Sequence, residues 1–531
     1  MEKKRFYFTT PIYYPSAKLH IGHAYCTVLT DVLARNKRLR GYECYFLTGA
    51  DEHGQKIEEN AAKAGKTPQQ FVDDIVKGFH KLWDLLKISN DDFIRTTQER
   101  HTKVVQDVFS KMLKQEDIYL GEYKGWYCTP CESFWTDTQV GPDHICPDCG
   151  RPVQRASEEA YFFKTNKYLN QLLKFYDENP KFLVPESRKN EMINTFIKPG
   201  LEDLCVSRTS FTWGVPIREN PKHVVYVWLD ALTNYITALG YDSDHPELFN
   251  KFWQDPECEI VHILGADITR FHAIYWPMFL EALNLRKPDR EFVHGLLMMR
   301  DSKMSKSKGN VVDPYPLVER YGVDAVRYYL TREVVFGSDG SFTPEQFVER
   351  INADLANSFG NLLNRTIGMM NKYFDGVIPE YKGRINEQDG ELESFIKTCI
   401  SGYENAFDDL RVTEAITNVN EIVNRANKYI DETTPWVLAK DESKKENLAS
   451  VMNHLANSIF IAATLYKPVL VEASDKALDQ LNVPSELRDY KNINNFGCVG
   501  GVKVNAAEPL FPRLDPKIEV PFIAGLMNGN N

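Results

Sequence analysis

The chain has 531 residues, of which 43% are hydrophobic and 26% are charged, and its mean hydropathy is −0.40. At about 150 residues per domain this length suggests roughly three to four domains, and the composition excludes disordered, collagenous and membrane-embedded classes. The net charge of −11 argues against nonspecific coating of nucleic acid but leaves local recognition open.

The ten cysteines are too few for a disulfide scaffold, which favours a reducing, cytoplasmic location. The N-terminus lacks the apolar core of a secretory signal, and Lys467 interrupts the longest apolar stretch, 459–471, so we expect no membrane span.

The first fifty residues predict a strand, a helix and a second strand. Residues 4–10 are aromatic and β-prone, 22–40 carry apolar side chains at helical spacing, and 42–47 resemble a second strand. Strands joined by a crossover helix are parallel, with their chemistry at the carboxyl ends. Similar strands recur only at 259–264 and 291–294, so an insertion of roughly two hundred residues divides the sheet.

Helical patterns occupy much of the remaining chain. Helices are predicted near 68–88 and 98–116, before a cluster of four cysteines. From residue 344 onward strand signals fade, and apolar stripes at helical period cover 347–370, 407–430 and 448–465. The C-terminal part is therefore predicted to be a helix bundle.

Two histidines, His20 and His23, lie between the first strand and its helix. Imidazole N–H groups beside a helix N-terminus suit a polyphosphate, because the helix dipole and the free backbone amides already favour anions there. Gly22 allows a ligand to approach the backbone closely. The alternative interpretation is that both histidines cap a turn.

A lysine-rich segment, Lys303-Met-Ser-Lys-Ser307, follows the last predicted strand. Residues 300–308 hold four positive charges against the single carboxylate of Asp301, which suits the charge that develops on a transferred phosphate. A solvated surface loop is the alternative. A phosphate-binding Walker loop is rejected, because Gln55 follows Gly54 where that motif requires lysine.

In this order, the histidine pair and the lysine segment resemble the two signatures of class I aminoacyl-tRNA synthetases. Four further blocks resemble the methionyl-tRNA synthetase family, and the similarity extends to about Pro512: Ile12 with Tyr14, residues 50–54, 226–231 with Tyr235, and 267–272 with Trp276. The resemblance implies a Rossmann-like α/β parallel-sheet catalytic domain (1–116 and 215–299). It also implies an inserted connective domain with a zinc knuckle (117–214), a KMSKS loop and stem-contact region (300–343), and an α-helical bundle that binds the anticodon (344–531).

The resemblance implies a methionine–tRNA ligase that makes methionyl-adenylate from L-methionine and ATP. The enzyme then transfers methionine to the 3′ end of initiator and elongator tRNA(Met). Asp51 would bind the substrate ammonium, and the methionine side chain would be enclosed by Ile12, Tyr14, Trp228, Ala231, Leu232, Tyr235, Phe271 and His272. ATP, bound with Mg²⁺, would meet His20, Gly22, His23, Gly265, Asp267, His294, Leu297 and Lys306, while Lys303 helps to position the loop. The substrate carboxylate attacks the α-phosphate, so catalysis needs positioning and electrostatics instead of a side-chain nucleophile.

Cys128, Cys131, Cys146 and Cys149 form two CxxC pairs separated by fourteen residues. Four thiolates at this spacing match a closed tetrahedral zinc site, with a metal-free remnant or a disulfide as alternatives. The family resemblance favours one structural zinc per chain.

Three residues of the helical region match anticodon-reading positions of the family, namely Asn361, Arg365 and Trp436. An exposed indole can stack on an unpaired base, while amide and guanidinium groups bond to base edges. Helix capping and packing are the alternative for Trp436.

Two other kinds of class I synthetase are excluded, and two further interpretations stay open. A cysteine-specific synthetase needs a metal-ligating cysteine in residues 11–19, which hold none, and the large branched-chain enzymes need an editing domain for which this length leaves no room. The open alternatives are a non-catalytic relative and a nucleotidyltransferase with only the histidine signature. Because no additional tRNA-binding domain follows the predicted bundle, we expect a monomer.

Overall fold

The computed structural model describes residues 4–527 except 130, 132, 136, 148, 300–301, 304–311 and 335–336. The chain forms two compact units. The sheet unit comprises Met1–Leu19, Glu43–Trp83 and Ser89–His294, and the helical unit comprises His20–Tyr42, Asp84–Ile88 and Gly295–Asn531. Lys306 lies outside the described residues, and only the backbone of Lys303 is described.

The strands of the described residues are β1 Arg5–Thr9, β2 Glu43–Ala50, β3 Asp92–Arg95, β4 Ile118–Cys128, β5 Ser133–Trp135, β6 Gln154–Phe163, β7 Leu183–Val184, β8 Leu204–Cys205, β9 Ser207–Arg208, β10 Val224–Val225, β11 Cys258–Gly265, β12 Arg290–His294, β13 Leu297–Met299, β14 Ser302–Lys303 and β15 Gly340–Phe342.

The helices are α1 Ile21–Leu39, α2 Gln55–Lys63, α3 Pro68–Leu85, α4 Glu99–Lys114, α5 Asp137–Val140, α6 Leu169–Glu178, α7 Glu186–Glu191, α8 Val227–Thr237, α9 Glu247–Phe249, α10 Trp276–Ala282, α11 Pro314–Tyr321, α12 Val323–Glu333, α13 Pro344–Arg350, α14 Asn361–Phe374, α15 Glu387–Asp408, α16 Val412–Thr433, α17 Pro435–Leu438, α18 Lys445–Tyr466, α19 Ala473–Gln480 and α20 Pro516–Met527.

A parallel sheet forms the centre of the sheet unit. Its described strands pair in the order β3-β2-β1-β11-β12-β7, and each neighbouring pair is parallel. The strand order reverses between β1 and β11, and in such sheets ligands bind beyond the carboxyl ends at that point. The predicted parallel sheet is confirmed. Its outer strands β3 and β7 were not predicted, because four and two residues are too short to give an alternation signal.

A second, antiparallel sheet carries the cysteine cluster. Strands β4 and β6 pair from Ile118 opposite Phe163 to Tyr127 opposite Gln154, and β5 and β8 flank them. Strand β4 ends at Cys128, so this long ribbon leads directly into the cluster. The intervening strand β7 lies within the range predicted for the connective domain but pairs with β12 of the parallel sheet.

The helical unit begins with α1 and resumes after β12. The apolar stripe predicted over 407–430 is divided between two helices, because α15 ends at Asp408 and α16 begins at Val412. Leu410 occupies the left-handed region, with φ of 62°, and breaks the helix. Both Phe407 and Leu410 are buried, so the apolar spacing continues through the turn and hides it.

Helix α18 is the core helix of this unit. The helical stretch Glu442–Tyr466 is long and apolar enough to cross a membrane, but 94% of its most apolar window is buried inside the protein. Polar side chains within it are also satisfied internally, since Ser458 donates to the carbonyl of His454 over 2.7 Å. Its apolar composition therefore reflects packing against the neighbouring helices.

Helix α1 is joined to the later helices of the helical unit by buried polar contacts. Arg327 of α12 is fully buried and donates to Asp31 of α1 over 2.7 Å and to the Val469 carbonyl over 3.0 Å. Asn36 donates to Tyr403 of α15 over 3.0 Å. A buried charge that loses its partner is strongly destabilising, so these contacts fix α1 firmly to the later helices.

One buried carboxyl group in the parallel sheet gives a stability prediction. Both carboxyl oxygens of Glu291 in β12 are buried without a hydrogen-bond partner among the described residues, and burial raises the pKa of Glu291 well above its usual value. Because the pKa of Glu291 is higher in the folded than in the unfolded state, its protonation stabilises the folded state. This contribution is fully present below the unfolded pKa of about 4.3 and is lost as pH rises through the folded pKa. The Glu291→Gln variant stays neutral, so its melting temperature should exceed that of the parent increasingly from pH 5 to pH 8.5. A difference that does not change with pH would contradict this assignment.

Candidate active site

The histidine pair forms the N-terminal cap of α1. The backbone N–H of Gly22 donates to Nδ1 of His20 over 3.1 Å, and the backbone N–H of His20 donates to Nδ1 of His23 over 3.1 Å. Each Nδ1 is an acceptor, so the neutral form of each ring carries its proton on Nε2. The capping alternative and the phosphate-binding prediction are therefore compatible, since one nitrogen caps the helix and the other can donate.

The side chain of His20 approaches Gly22 closely. A Cβ atom at this position would lie 3.0 Å from Cε1 and 3.1 Å from Nδ1 of His20. A larger residue here would therefore require the His20 imidazole to shift by a few tenths of an ångström.

The predicted ammonium ligand, Asp51, follows directly after β2. It is 8% exposed, and its backbone N–H donates to the carbonyl of Tyr13 over 3.0 Å. This bond holds the segment that carries Ile12 and Tyr14 against the end of β2. All nine predicted methionine-binding residues belong to the sheet unit.

An aromatic wall is formed by two of the predicted pocket residues. The rings of Trp228 and Phe271 stack in parallel, with their centroids 3.5 Å apart. The guanidinium of Arg270 lies 4.5 Å from the ring of Phe271 and 4.6 Å from the ring of Trp135. Ala231 and Leu232 are buried on the same helix as Trp228.

Tyr235 and His272 form a neutral hydrogen-bonded pair. Nδ1 of His272 lies 3.1 Å from the Ile268 carbonyl, which can only accept, so Nδ1 carries the proton and Nε2 accepts from the Tyr235 hydroxyl over 2.8 Å. Burial lowers the pKa of His272 to about 4. The pair is therefore uncharged at neutral pH, and such surroundings favour an uncharged substrate side chain.

A further layer behind this pair was not predicted from the sequence. His262 stacks on Tyr235 with ring centroids 4.1 Å apart, accepts from Trp276 over 3.3 Å and contacts the Thr9 hydroxyl over 2.7 Å. Burial lowers the pKa of His262 well below its usual value. The position of His262 inside a predicted strand gave no signal, because a buried strand residue usually serves packing.

The residues predicted to surround ATP are distributed between the two units. In the sheet unit, Gly265 at the end of β11 pairs with His294 at the end of β12. Asp267 lies close to Gly265, since a Cβ atom at Gly265 would be 2.8 Å from a carboxylate oxygen of Asp267. In the helical unit, Leu297 is buried on β13, and His20, Gly22 and His23 begin α1. Their common role in binding ATP stays a prediction.

The four clustered cysteines converge on one point. Their sulfur atoms all lie within 4.8 Å of one another, with 3.6 Å between Cys128 and Cys149 and 4.0 Å between Cys131 and Cys146. These separations exceed a disulfide bond of about 2.05 Å and are close to the roughly 3.8 Å expected for sulfurs placed tetrahedrally about 2.3 Å from zinc. The donor set therefore fits a tetrahedral metal ion.

The predicted anticodon residues lie in the helical unit. Asn361 and Arg365 lie one turn apart on α14, and Arg365 contacts Asp431 of α16 over 3.5 Å. Trp436 lies in the short helix α17, five residues after Asp431, and is 42% exposed. An indole exposed to this extent is available for stacking.

Two known family models match this chain. The model described as "tRNA synthetases class I (M)" matches residues 6–159 and 152–367, and that described as "Anticodon binding domain of methionyl tRNA ligase" matches 378–515. The methionine–tRNA ligase of Halalkalibacterium halodurans is 56% identical over 540 residues, which cover 100% of this chain and 81% of the relative. The Bacillus subtilis methionine–tRNA ligase is 55% identical with the same coverage. The chain belongs to the methionine–tRNA ligases, the methionyl-tRNA synthetases of class I.

Solved structures of methionyl-tRNA synthetases agree. The Mycobacterium tuberculosis enzyme in complex with methionyl-adenylate has a TM-score of 0.91 at 40% identity, covering 96% of this chain and 100% of that one. The apo form has a TM-score of 0.84 at 37% identity, covering 97% and 99%. The predicted family, enzyme class and fold class are confirmed: a parallel-sheet α/β catalytic region, a cysteine cluster and a helical C-terminal region.

Proposed function

We propose that this chain activates L-methionine with ATP and transfers it to the 3′ end of initiator and elongator tRNA(Met). One observation carries the proposal: the sheet unit contains both a buried carboxylate, Asp51, and a neutral aromatic pocket. We also propose that the chain is divided into the catalytic, connective, stem-contact and anticodon-binding regions predicted from the sequence.

The chemistry of this pocket suits methionine. A thioether is uncharged and polarizable, and sulfur contacts with aromatic rings are favourable. Trp228, Phe271 and the neutral Tyr235–His272 pair supply such surroundings, while Asp51 supplies the charge that an α-ammonium needs. A charged substrate side chain would lose hydration among these uncharged groups.

Adenylate formation depends on groups that stabilise charge on the phosphates of ATP–Mg²⁺. In their neutral forms His20 and His23 each carry a proton on Nε2, because Nδ1 accepts a hydrogen bond in the helix cap. Lys306 is assigned to the same role and Lys303 to positioning the loop, both from sequence. Gly265, Asp267, His294 and Leu297 are assigned to the adenosine.

The cysteine cluster is assigned one structural zinc ion. Four thiolates close the coordination shell, so the ion supplies a cross-link that stabilises the knuckle and leaves no open position for chemistry. The geometry of Cys128, Cys131, Cys146 and Cys149 supports this assignment.

Metal analysis tests the zinc assignment. We expect about one zinc per chain in protein prepared without chelator and a clear loss in Cys128→Ser, together with a lower melting temperature. Cys205→Ser is the matched control, because Cys205 is buried on β8 of the same sheet but outside the cluster. Full zinc content in Cys128→Ser, or none in the parent, would overturn the assignment.

Asn361, Arg365 and Trp436 are assigned to the anticodon. Trp436→Ala should therefore leave methionine-dependent ATP–pyrophosphate exchange intact while strongly reducing charging of tRNA(Met), since base–aromatic stacking contributes about 1–3 kcal/mol per base. The neighbouring Val437→Ala is a matched control, because Val437 is also exposed but cannot stack. Equal loss of exchange and charging would refute this role for Trp436.

We assign the protein to the cytoplasm as a monomer, in keeping with its composition and with a translation function. Size measurement in solution over a range of concentrations tests the monomer.

The activation step is tested by amino-acid-dependent ATP–pyrophosphate exchange with all twenty amino acids. Exchange with methionine alone, lost in Lys306→Ala, is the expected result. Exchange with another amino acid would keep the class I mechanism but overturn the pocket assignment. Absence of exchange in folded, zinc-loaded protein would favour a non-catalytic role.

A further inference from the structure

A buried carboxylate between two histidines lies beside the proposed methionine pocket. Nδ1 of His53 and Nε2 of His101 each lie 2.7 Å from a different oxygen of Asp230. Asp230 and His101 are fully buried, and the side chain of His53 is 7% exposed. A carboxylate can only accept, so each of these nitrogens donates its proton to Asp230.

These three residues come from elements with different roles. His53 belongs to the loop after β2 and follows the proposed ammonium ligand Asp51 by two residues. Asp230 lies on α8, two residues after Trp228 and one before Ala231. His101 lies on α4, outside both elements, and its Nδ1 contacts the Thr237 hydroxyl at the end of α8 over 2.9 Å.

The charge on Asp230 strengthens this connection. Burial alone raises the pKa of Asp230, but His53 and His101 lower it to about 2 through charge and hydrogen bonding. The carboxylate is therefore ionised at neutral pH. Hydrogen bonds to an ionised acceptor are roughly twice as strong as those between neutral groups.

The loop that carries His53 is also anchored on its other side. The backbone N–H of Glu52 donates to the Thr96 hydroxyl over 2.9 Å, and its carboxylate accepts from Arg95 over 2.6 Å. Trp213 donates to the Glu52 carbonyl over 2.5 Å. The loop is thus fixed to the segment after β3, and His53 links it directly to α8.

We propose that His53 and Asp230 are positioning residues for methionine. Their hydrogen bond sets the distance between the carboxylate that binds the ammonium and the helix that forms the wall of the side-chain pocket. The ammonium and the thioether belong to one substrate, so an error in this distance cannot be accommodated at both ends. This inference rests on the proposed function, since it needs Asp51 and α8 to bind the same methionine.

His53→Ala tests the link. We expect KM for methionine to rise roughly 10-fold or more, because small displacements of a binding group have large effects, while KM for ATP stays within about twofold. His53→Asn should restore much of the affinity, since an asparagine amide can replace the Nδ1 donor, whereas His53→Gln places its amide at the position of Nε2 and should not.

His101→Ala is the matched control. It removes the other donor to the same carboxylate and should lower the melting temperature to a similar extent, but it leaves the link between the loop and α8 in place. KM for methionine should therefore rise much less than in His53→Ala. If His53→Ala proves too unstable to measure, the comparison of His53→Asn with His53→Gln decides the question.

The outcomes separate this inference from the proposed function. Unchanged KM for methionine in His53→Ala, equal increases in both alanine variants, or equal behaviour of the Asn and Gln variants would overturn the positioning role. In each of these cases the parent protein still shows methionine-specific exchange. A parent protein that activates no methionine would instead overturn the proposed function and this inference with it.

Discussion

Replacing His23 with asparagine is expected to lower kcat for methionine-dependent ATP–pyrophosphate exchange by roughly 10²- to 10³-fold, the usual cost of one lost hydrogen-bond donor to a charged transition state. The substitution separates the two roles of the ring. The asparagine side-chain oxygen can still accept from the backbone N–H of His20, as Nδ1 of His23 does. The donor expected on Nε2 is lost, so the helix cap remains while phosphate binding fails.

His23→Gln provides the control for this prediction. Its amide group occupies the approximate position of Nε2 and can donate to a phosphate, although it no longer caps the helix well. We therefore expect His23→Gln to retain more activity than His23→Asn but to melt at a lower temperature. The reverse order of activities would show that the histidine acts mainly through the cap.

Asp51→Asn should reduce kcat/KM for methionine by roughly 30- to 5,000-fold. Removing one partner of a buried charge pair costs about 2–5 kcal/mol, which corresponds to this range. Asn has nearly the same size as Asp, and Asp51 is only 8% exposed, so the effect reports the lost charge. Steady-state exchange kinetics with varied methionine measure it, and KM for ATP should change little.

A methionine analogue that lacks the amino group tests the cause of this loss. Without an ammonium, its inhibition constant should be similar for the parent protein and for Asp51→Asn. If the analogue loses affinity in the variant as much as methionine does, Asp51 acts on the shape of the pocket and not on the ammonium.

Local patterns in the sequence were sufficient to predict the core of the fold. Helical spacing over 22–40 and two β-prone flanks predicted β1, α1 and β2 as a parallel unit, and these elements are found at Arg5–Thr9, Ile21–Leu39 and Glu43–Ala50. The cysteine spacing likewise predicted convergence of four sulfurs. In each case the relevant interactions join residues that are close in sequence or follow from a regular period.

Contacts between distant segments were not predictable in this way. His53 and Asp230 are 177 positions apart and belong to two blocks that the sequence analysis noted only for their neighbours Asp51 and Trp228. The buried turn at Leu410 was missed because apolar periodicity reports burial and not helix continuity. The roles of the lysine segment depend on Lys306, which lies outside the described residues, so they remain predictions.

The anchoring of α1 has a consequence for synthesis on the ribosome. Asp31 meets Arg327 across 296 positions, and Lys37 meets Asp408 across 371. At about 5–20 residues per second, roughly 15–75 s pass between the emergence of α1 and that of these partners. Helix α1, which carries His23, therefore leaves the ribosome early and completes its packing late. In a chain that stalls before Arg327, α1 lacks the buried partner of Asp31.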